Sequence, residues 1–348
     1  MGKIVLSVSP RDEKTISRMF PSFEFYSVAS VSHLQSLLIE QNDILLVIMD
    51  LKALGVEENS FRELIRSRSL NLPILILADD EEKLEKDLSF DFGMIDFIGK
   101  PFDKWILNEK IEVCLRMRTV MLIFEKDRSL RKNKRPNANG NFFQESTINE
   151  LMDLLETNND NLMVHLRRTS RMMRILGSKV QSLHLAGYGI SSKELERMVI
   201  AAPLHDIGKI CIPKSILDKP GKLTAEEFNL VKQHVLYGVA ILQFPKDDVP
   251  EFLETMKMAK VIICGHHERY DGSGYPYGIK GRDIPLAGRM MAVIDVYDAL
   301  TNERPYKHAM RHEEAMEYLK ANSGSHFDLV ITDVFVSVQD QILLLSVQ

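Results

Sequence analysis

Short apolar runs alternate with polar stretches along the first third of the chain. Residues 4–8, 44–49 and 73–77 are continuously apolar or nearly so, and the stretch from Phe61 to Ile65 between two of them has helix-like spacing. Buried apolar strands that alternate with helices are typical of a parallel sheet covered on both faces. We therefore predict an α/β, doubly wound domain over residues 1–124, with its function at the carboxyl ends of the strands.

The pattern changes near residue 130. Residues 125–145 are rich in charged residues and loop formers, and the basic run at 131–135 lacks the interleaved aromatics that stack on nucleic-acid bases. We interpret this segment as a solvated linker. From residue 146 to 348 apolar residues recur at helical spacing, as in Leu195, Met198, Val199 and Ala202. This pattern predicts an all-α helical bundle, a fold that can hold metal ions in its core.

Composition narrows the class of protein. The 348 residues suit about two domains, and a hydrophobic share of 45% with 27% charged residues is ordinary for a globular protein. A net charge of −5 gives no general attraction to a nucleic-acid polymer or an anionic membrane. The three cysteines are isolated, which suits a reducing compartment. With no 18-residue apolar run and no signal pattern, we expect a cytoplasmic protein without membrane insertion.

Histidines and aspartates are concentrated in the second half. Neutral imidazoles and carboxylates are ligands for iron, manganese and zinc, and the candidates here are His165, His205, Asp206, His234, His266, His267 and Asp295. Adjacent residues on a helix point about 100° apart, so His205 and Asp206 can face two metals with the carboxylate between them. Gly208 suits a turn that ends this helix.

Several further polar residues lie close to these candidates in sequence. Lys209 could protonate a leaving oxygen or steady a phosphate. Asp298 shares a helical face with Asp295 and could orient a ligand or accept a proton. Arg304 and Lys307 offer a bidentate and a point-charge contact to phosphate. The glycine-rich loop at 271–278 is predicted to lie over the mouth of the site.

The first half resembles the receiver domain of response regulators, which has a flavodoxin-like fold. Asp50 stands where that family is phosphorylated, and Lys100-Pro101-Phe102 matches its motif after the last strand. The acidic pair that binds Mg²⁺ in the family is replaced by a segment beginning at Val8, and Ala78 stands in place of a Thr or Ser. We therefore expect a degenerate receiver-like domain that serves in docking or dimerisation. Phosphorylation stays open because Asp12 and Glu13 lie nearby.

The second half resembles the HD-GYP family of metal-dependent phosphohydrolases. The resemblance is carried by His-Asp-Ile-Gly-Lys at 205–209, Lys-Pro-Gly-Lys-Leu-Thr at 219–224, Gln-His at 233–234, His-His-Glu-Arg-Tyr-Asp-Gly-Ser-Gly-Tyr-Pro at 266–276, Asp-Val-Tyr-Asp at 295–298 and Arg-Pro-Tyr-Lys at 304–307. It implies hydrolysis of cyclic di-GMP to pGpG or GMP at two or three metals, with a bridging hydroxide as nucleophile. By position, it makes the seven candidates metal ligands and Asp206 the bridge. Lys209 would act on the leaving group, and Asp298, Arg304, Lys307, Gly274 and Tyr275 would contact substrate.

Two departures from the family pattern change this expectation. Asn161 stands where three-metal members have a Glu, one turn before His165, and a neutral amide is a poor substitute for a carboxylate. We therefore expect two metals, with iron favoured and manganese as the alternative, and His165 as a weaker candidate than the other ligands. Pro203 lies just before the His-Asp pair, where a proline can kink a helix.

The residues leave three functions open. The intact ligand set favours an active cyclic-dinucleotide phosphodiesterase. The degenerate receiver half leaves a metal- and nucleotide-binding signalling scaffold as the alternative, with protein partners bound through the receiver-like domain and the Gly-Tyr-Pro loop, or as a homodimer. An HD-type hydrolase of another nucleotide is disfavoured by the Gly-Tyr-Pro loop, which most HD-superfamily proteins lack.

Overall fold

The computed structural model describes most of two compact units. The described residues are 2–41, 43–50, 52, 72–79, 95–133, 162–242, 250–302 and 309–346. The units are Met1–Lys126 and Asp127–Gln348, and each is described by itself. The helix-like stretch at residues 61–65 lies outside the described residues. Among the residues that are described, no helix is both long and apolar enough to cross a bilayer.

The first unit contains a five-stranded parallel sheet. Its strands are β1 (Lys3–Ser7), β2 (Glu24–Ser27), β3 (Ile44–Asp50), β4 (Ile74–Ala78) and β5 (Ile95–Gly99). Their order in the sheet is β2-β1-β3-β4-β5, and every neighbouring pair is parallel. This is the doubly wound order of flavodoxin-like folds, in which successive strands are added first on one side of β1 and then on the other. The predicted fold class of this half is confirmed.

Alternate residues of the strands bury opposite faces of the sheet. On one face, Val47 and Ile76 pack with Leu34 of helix α2 (Val31–Glu40). On the other, Ile48 and Leu75 pack with residues of α1 (Pro10–Met19) and α3 (Lys104–Asn133). The period of two that places neighbouring side chains on opposite faces explains why the central strands β1, β3 and β4 are apolar at nearly every position. Helix α3 continues to Asn133, so the first nine residues of the predicted linker are helical.

The second unit is all helical, which confirms the predicted bundle. Its α-helices are α4 (Leu162–Leu183), α5 (Ser192–Ala201), α6 (Lys214–Leu217), α7 (Ala225–Lys232), α8 (His234–Ile241), α9 (Pro250–Gly265), α10 (Leu286–Thr301), α11 (His312–Ala321), α12 (Leu329–Ser337) and α13 (Gln339–Ser346). Two 3₁₀ segments, Ala202–Cys211 and Gly281–Asp283, join them. Capping boxes begin α5 at Ser191 and α7 at Thr224, and both fix the first turn through a Glu three residues later.

The segment Ala202–Cys211 carries the His-Asp pair and is a 3₁₀ helix rather than an α-helix. Pro203 is its second residue, where a missing backbone N–H breaks no helical hydrogen bond. The prediction that the helix ends in a turn at Gly208 is wrong, because the 3₁₀ segment continues through Gly208 to Cys211. A Cβ at Gly208 would lie 1.8 Å from the carbonyl oxygen of His234 and 2.5 Å from the amide nitrogen of Gly238. Glycine is therefore required here because α8 approaches the segment closely.

Replacing Gly208 by Ala should destabilise the second unit, because the new methyl group would collide with the backbone of α8. We expect a loss of at least about 3 kcal/mol in the free energy of unfolding, at the upper end of the range for overpacked sites. Denaturant unfolding followed by far-ultraviolet circular dichroism measures it. Gly189→Ala is the matched control, since no atom lies within 4 Å of a Cβ there. Equal stability of the two variants would contradict this account of Gly208.

Candidate metal centre

Three histidines of the second unit are held in the same way. The Nδ1 atom of His205 lies 2.9 Å from the carbonyl oxygen of Ala202, and His234 and His266 make the corresponding contacts to the carbonyls three residues before them, at 2.7 and 2.8 Å. A carbonyl can only accept, so each Nδ1 carries a proton, and the neutral form of each ring keeps its lone pair on Nε2. This arrangement fixes the ring and the tautomer that metal ligation requires.

The carboxylate of Asp206 lies between these rings. Its Oδ1 atom is 3.3 Å from Nε2 of His234 and 3.8 Å from Nε2 of His266, whereas its Oδ2 atom is 3.3 Å from Nε2 of His205. The ammonium of Lys209 lies 2.5 Å from Oδ2. The two oxygens of one buried carboxylate thus face two different sets of imidazoles.

The donors form two groups that share Asp206. One group contains Asp206 with His234, His266 and His267, and the other contains Asp206 with His165, His205 and Asp295. Within each group, one donor atom of every residue lies within 4.8 Å of the others. All seven residues proposed as ligands from the sequence, His165 included, are therefore brought together.

Buried polar atoms in the first group test whether a metal fits there. Oδ1 of Asp206 and the Nε2 atoms of His234 and His266 are buried and have no hydrogen-bond partner among the described residues. Such atoms are costly to bury unless something binds them. An oxygen and two imidazole nitrogens that converge on one space fit a divalent cation.

The electrostatics of the first group favour neutral imidazoles. Burial lowers the pKa of His234 to about 4. Burial, together with the neighbouring rings of His266 and His234, holds the pKa of His267 well below its usual value. Both rings are neutral at physiological pH, which is the form that binds a metal.

The second group favours positive charge instead. Burial opposes a charge on His205, but the carboxylates of Asp206 and Asp295 outweigh it and raise the pKa of His205 to about 10. Burial likewise opposes a charge on Asp295, yet His205 holds the pKa of that carboxyl well below its usual range. Carboxylates that stabilise a proton on His205 would also stabilise a divalent cation bound to the same nitrogen.

Asp298 does not share the role of Asp295, although both lie on α10. Its Oδ2 atom is 2.6 Å from Nδ1 of His165, and Arg168 donates to its two oxygens at 2.6 and 3.0 Å. Asp298 is 3% exposed. A carboxylate that binds the far nitrogen of a histidine orients the ring and fixes its tautomer. We expected three possible roles from the sequence: orienting a ligand, accepting a proton and contacting substrate. Because both oxygens are bound within the protein and the residue is buried, the geometry favours the first role over direct contact with substrate. Nε2 of His165 lies 3.3 Å from that of His205.

The Gly-Tyr-Pro loop packs directly on the ligand-bearing backbone. A Cβ at Gly274 would lie 2.3 Å from the amide nitrogen of Arg269 and 2.6 Å from the carbonyl oxygen of His267. Glycine permits this approach, and the next residue, Tyr275, donates its backbone N–H to the same carbonyl at 3.1 Å. The Tyr275 ring stacks on the imidazole of His267 at a centroid distance of 4.7 Å. Tyr275 therefore borders the first donor group.

Glu268 binds the backbone of this loop, a role that we did not predict from the sequence. It is 1% exposed and its Oε1 atom accepts the backbone N–H of Tyr277 at 2.7 Å. Burial raises the pKa of the Glu268 carboxyl, although backbone hydrogen bonds from Tyr277, Gly278 and Ile279 oppose the rise. A carboxylate directly after the His-His pair was the available signal, but only the folded loop reveals what it binds.

Two of the residues proposed to contact phosphate belong to the segment that follows α10. Arg304 and Lys307 lie outside the described residues, which end at 302 and resume at 309. Lys209 is described, and about a third of its side chain is exposed beside Asp206.

The carboxyl end of the sheet in the first unit brings together the residues noted in the receiver-like half. The Lys100 ammonium lies 2.5 Å from Oδ2 of Asp50 and 3.2 Å from Oδ2 of Asp12. Ser9 caps α1 and its hydroxyl donates to the same Asp12 oxygen at 2.8 Å. Asp12 thus supplies a second carboxylate next to Asp50, although it comes from α1 and not from the end of β1.

Comparison with known proteins agrees with the fold of the second unit. The model of the HD domain family matches residues 151–331. A probable cyclic di-GMP phosphodiesterase of Vibrio cholerae is 35% identical over 76% of this chain and 61% of its own length. The cyclic di-GMP phosphodiesterase response regulator RpfG of Xanthomonas campestris is 32% identical over 85% of this chain and 76% of its own length. A 3′3′-cGAMP-specific phosphodiesterase of Vibrio cholerae is 40% identical over 53% of this chain and 38% of its own length.

The helical domain carries an adjacent His-Asp pair that lies among further histidines. This combination, together with the family match, makes the protein an HD-domain protein. The chain belongs to the HD domain family, in its HD-GYP branch, with a receiver-like domain before it. The alignment spans less than two thirds of the first Vibrio relative.

Removing the Glu268 side chain should release the Gly-Tyr-Pro loop without removing a metal ligand. We expect Glu268→Ala to lose amide protection at residues 277–279, because their acceptor is gone, and this is measured by hydrogen exchange. Glu254→Ala, which removes a partly exposed glutamate of α9 that does not contact the loop, is the control. Unchanged protection at 277–279 would show that the loop is held by other contacts.

Proposed function

We propose that the second unit is a metal-dependent phosphodiesterase that hydrolyses cyclic di-GMP to pGpG or GMP at a binuclear centre. The observation that carries this proposal is the position of Asp206, whose two oxygens face two separate donor groups. A carboxylate shared between two metal sites is the arrangement that brings two ions close enough to act on one phosphate.

The ligands divide between the two sites. His234, His266 and His267 would hold one ion, and His165, His205 and Asp295 the other, with Asp206 common to both. A mixed imidazole and carboxylate set suits iron, with manganese as the alternative. When bound, two such ions lower the pKa of the water between them and offset the charge of the substrate phosphate.

The other residues of the site serve the phosphate and the leaving group. The Lys209 ammonium, next to Asp206, is placed to donate a proton to the departing 3′-oxygen or to bind the phosphate. Arg304 and Lys307 are proposed to bind the phosphates, as the family resemblance implies. Asp298 would act through His165, whose ring it orients, and Tyr275 would contact the substrate at the edge of the first site.

Cyclic di-GMP is the proposed substrate because relatives from two bacteria carry that activity in their names. The 3′3′-cGAMP-specific relative makes cyclic GMP–AMP the second candidate. Both are cyclic dinucleotides with the same kind of phosphodiester bond, so the chemistry proposed for the metal centre is common to them. A signalling scaffold that binds metal without turnover is the alternative from a different functional class.

Metal analysis of the purified full chain, combined with turnover assays, tests the proposed function. We expect about two iron or manganese ions per chain, since there are two donor groups, and release of pGpG or GMP from cyclic di-GMP. Cyclic GMP–AMP is assayed in parallel. Two metals without turnover of either dinucleotide would support the scaffold and contradict the phosphodiesterase.

Asp206→Ala should remove both metals together with activity, because both groups lose a shared ligand. His165→Ala removes a ligand from the second group alone, so we expect it to lower the metal content towards one ion per chain. Inductively coupled plasma mass spectrometry measures both, and circular dichroism checks that each variant is folded. Asp218→Ala, a half-exposed carboxylate on the surface, is the control. Full metal content in folded Asp206→Ala would exclude the shared site.

A further inference from the structure

An exposed aromatic ring continues the surface that begins at the metal ligands. Phe228 of α7 is 45% exposed, and its ring meets that of Tyr275 edge to face at a centroid distance of 6.4 Å. Tyr275 in turn stacks on His267, with an angle of 26° between the ring planes. The rings of His267, Tyr275 and Phe228 thus contact one another in turn and extend outward from the first donor group.

A positive charge accompanies these rings. The ammonium of Lys232, one helical turn after Phe228, lies 4.8 Å from the centroid of the Phe228 ring and 5.7 Å from that of Tyr275. It also donates to Oδ1 of Asn229 at 3.2 Å. Nearly half of Phe228 remains exposed beside this ammonium, so the ring retains surface for a planar ligand.

The helix that carries the pair is firmly placed. The capping box between Thr224 and Glu227 fixes the first turn of α7, and Lys219 binds both oxygens of Glu227 at 2.6 and 2.7 Å. Phe228 follows directly after this anchored residue. The backbone that carries Phe228 is therefore fixed before any ligand binds, which lowers the entropic cost of binding.

A single exposed apolar residue needs no explanation, because such residues are common on protein surfaces. The combination here is more specific, since it places an open aromatic ring, a second ring and an ammonium beside a candidate phosphodiesterase centre. Aromatic rings bind nucleobases by stacking. A lysine ammonium binds the O6 and N7 acceptors at the edge of guanine.

We propose that Phe228, Tyr275 and Lys232 form a purine-base subsite, which positions one guanine of the substrate next to the metal centre. The proposal rests on the proposed function and deepens it, because it names the residues that bind the base. The base stacks on Phe228 against the edge formed by Tyr275, and Lys232 binds its acceptor edge. The metal ligands act on the phosphate, whereas this subsite recognises the base.

Steady-state kinetics test the subsite with two substrates. Bis(p-nitrophenyl) phosphate is a phosphodiester without a purine. Its rings are smaller than a purine and lack the acceptor edge of guanine, so its turnover should depend less on the subsite than that of cyclic di-GMP. We expect Phe228→Ala to raise KM for cyclic di-GMP by on the order of ten-fold, as expected for the loss of one stacked base. The rise in KM for bis(p-nitrophenyl) phosphate should be several-fold smaller. Phe228→Trp should restore the KM for cyclic di-GMP. Lys232→Gln should raise KM for cyclic di-GMP several-fold.

Tyr318→Ala is the matched control, because it removes another exposed aromatic of the second unit, on α11, and should leave both substrates unaffected. Equal losses with the two substrates in Phe228→Ala would show a general effect on the centre and overturn the subsite. A KM for cyclic di-GMP that stays at the wild-type value would overturn it as well.

A binding measurement that does not depend on turnover separates this inference from the proposed function. The chain has a single tryptophan, Trp105, so the double variant Trp105→Phe, Phe228→Trp carries its only indole at the proposed subsite. With metal removed by chelation, we expect GMP to quench its fluorescence saturably and ribose 5-phosphate, which lacks the base, to leave it unchanged. Trp105→Phe with Tyr318→Trp is the control, in which GMP should cause no saturable change.

Quenching by GMP in a protein that hydrolyses no cyclic dinucleotide would support the base subsite and reject the proposed reaction. The absence of quenching in a protein whose wild type hydrolyses cyclic di-GMP would reject the subsite alone. Equal quenching by ribose 5-phosphate would show that the region binds phosphate and would also reject the base subsite.

Discussion

The buried carboxylate of Asp206, placed between two sets of imidazoles, is the constraint on which the second unit depends. A buried charge without compensation costs several kcal/mol or more, so the surrounding structure must supply partners to both of its oxygens. Those partners are His205, His234 and His266, which come from the segments that follow α5, α7 and α9. The close approach of α8 to the 3₁₀ segment at Gly208 brings His234 within reach of this carboxylate.

Residue types and spacing were enough to predict which side chains converge in the two donor groups, because each candidate ligand lies in a short segment whose local pattern is distinctive. They were not enough to assign Asp298. Its position three residues after Asp295 indicates a shared helical face, but its partners, His165 and Arg168, come from α4, more than 120 residues earlier in the chain. The role of Gly208 was misjudged for the same reason, since sequence shows the glycine and not the backbone that approaches it. Such contacts depend on tertiary packing, which local periodicity does not encode.

The sheet of the first unit was predictable for a different reason. Its central strands β1, β3 and β4 are buried on both faces, so they are almost entirely apolar, and that signal survives in the sequence even where family motifs have been lost. The acidic pair is lost at the end of β1, but the sequence places Asp12 and Glu13 nearby as possible substitutes. In the structure, the first turn of α1 places Asp12 3.2 Å from Lys100, which also binds Asp50. Two carboxylates around one ammonium thus occupy the carboxyl end of this sheet, where such folds place their chemistry.

The Gly-Tyr-Pro loop offers a way to couple the proposed base recognition to the proposed phosphate chemistry in the second unit. Gly274 lies against the backbone of His267, and Tyr275 stacks on the His267 ring, so a shift of the loop would also move a ligand. Glu268, the residue after His267, accepts the backbone N–H of Tyr277 and so binds the end of the loop beyond Pro276. A base bound at Phe228 would press on Tyr275 and hence on His267, and it would stabilise the ligand arrangement that acts on the phosphate. Binding energy from a part of the substrate that does not react would then be used to position the part that does.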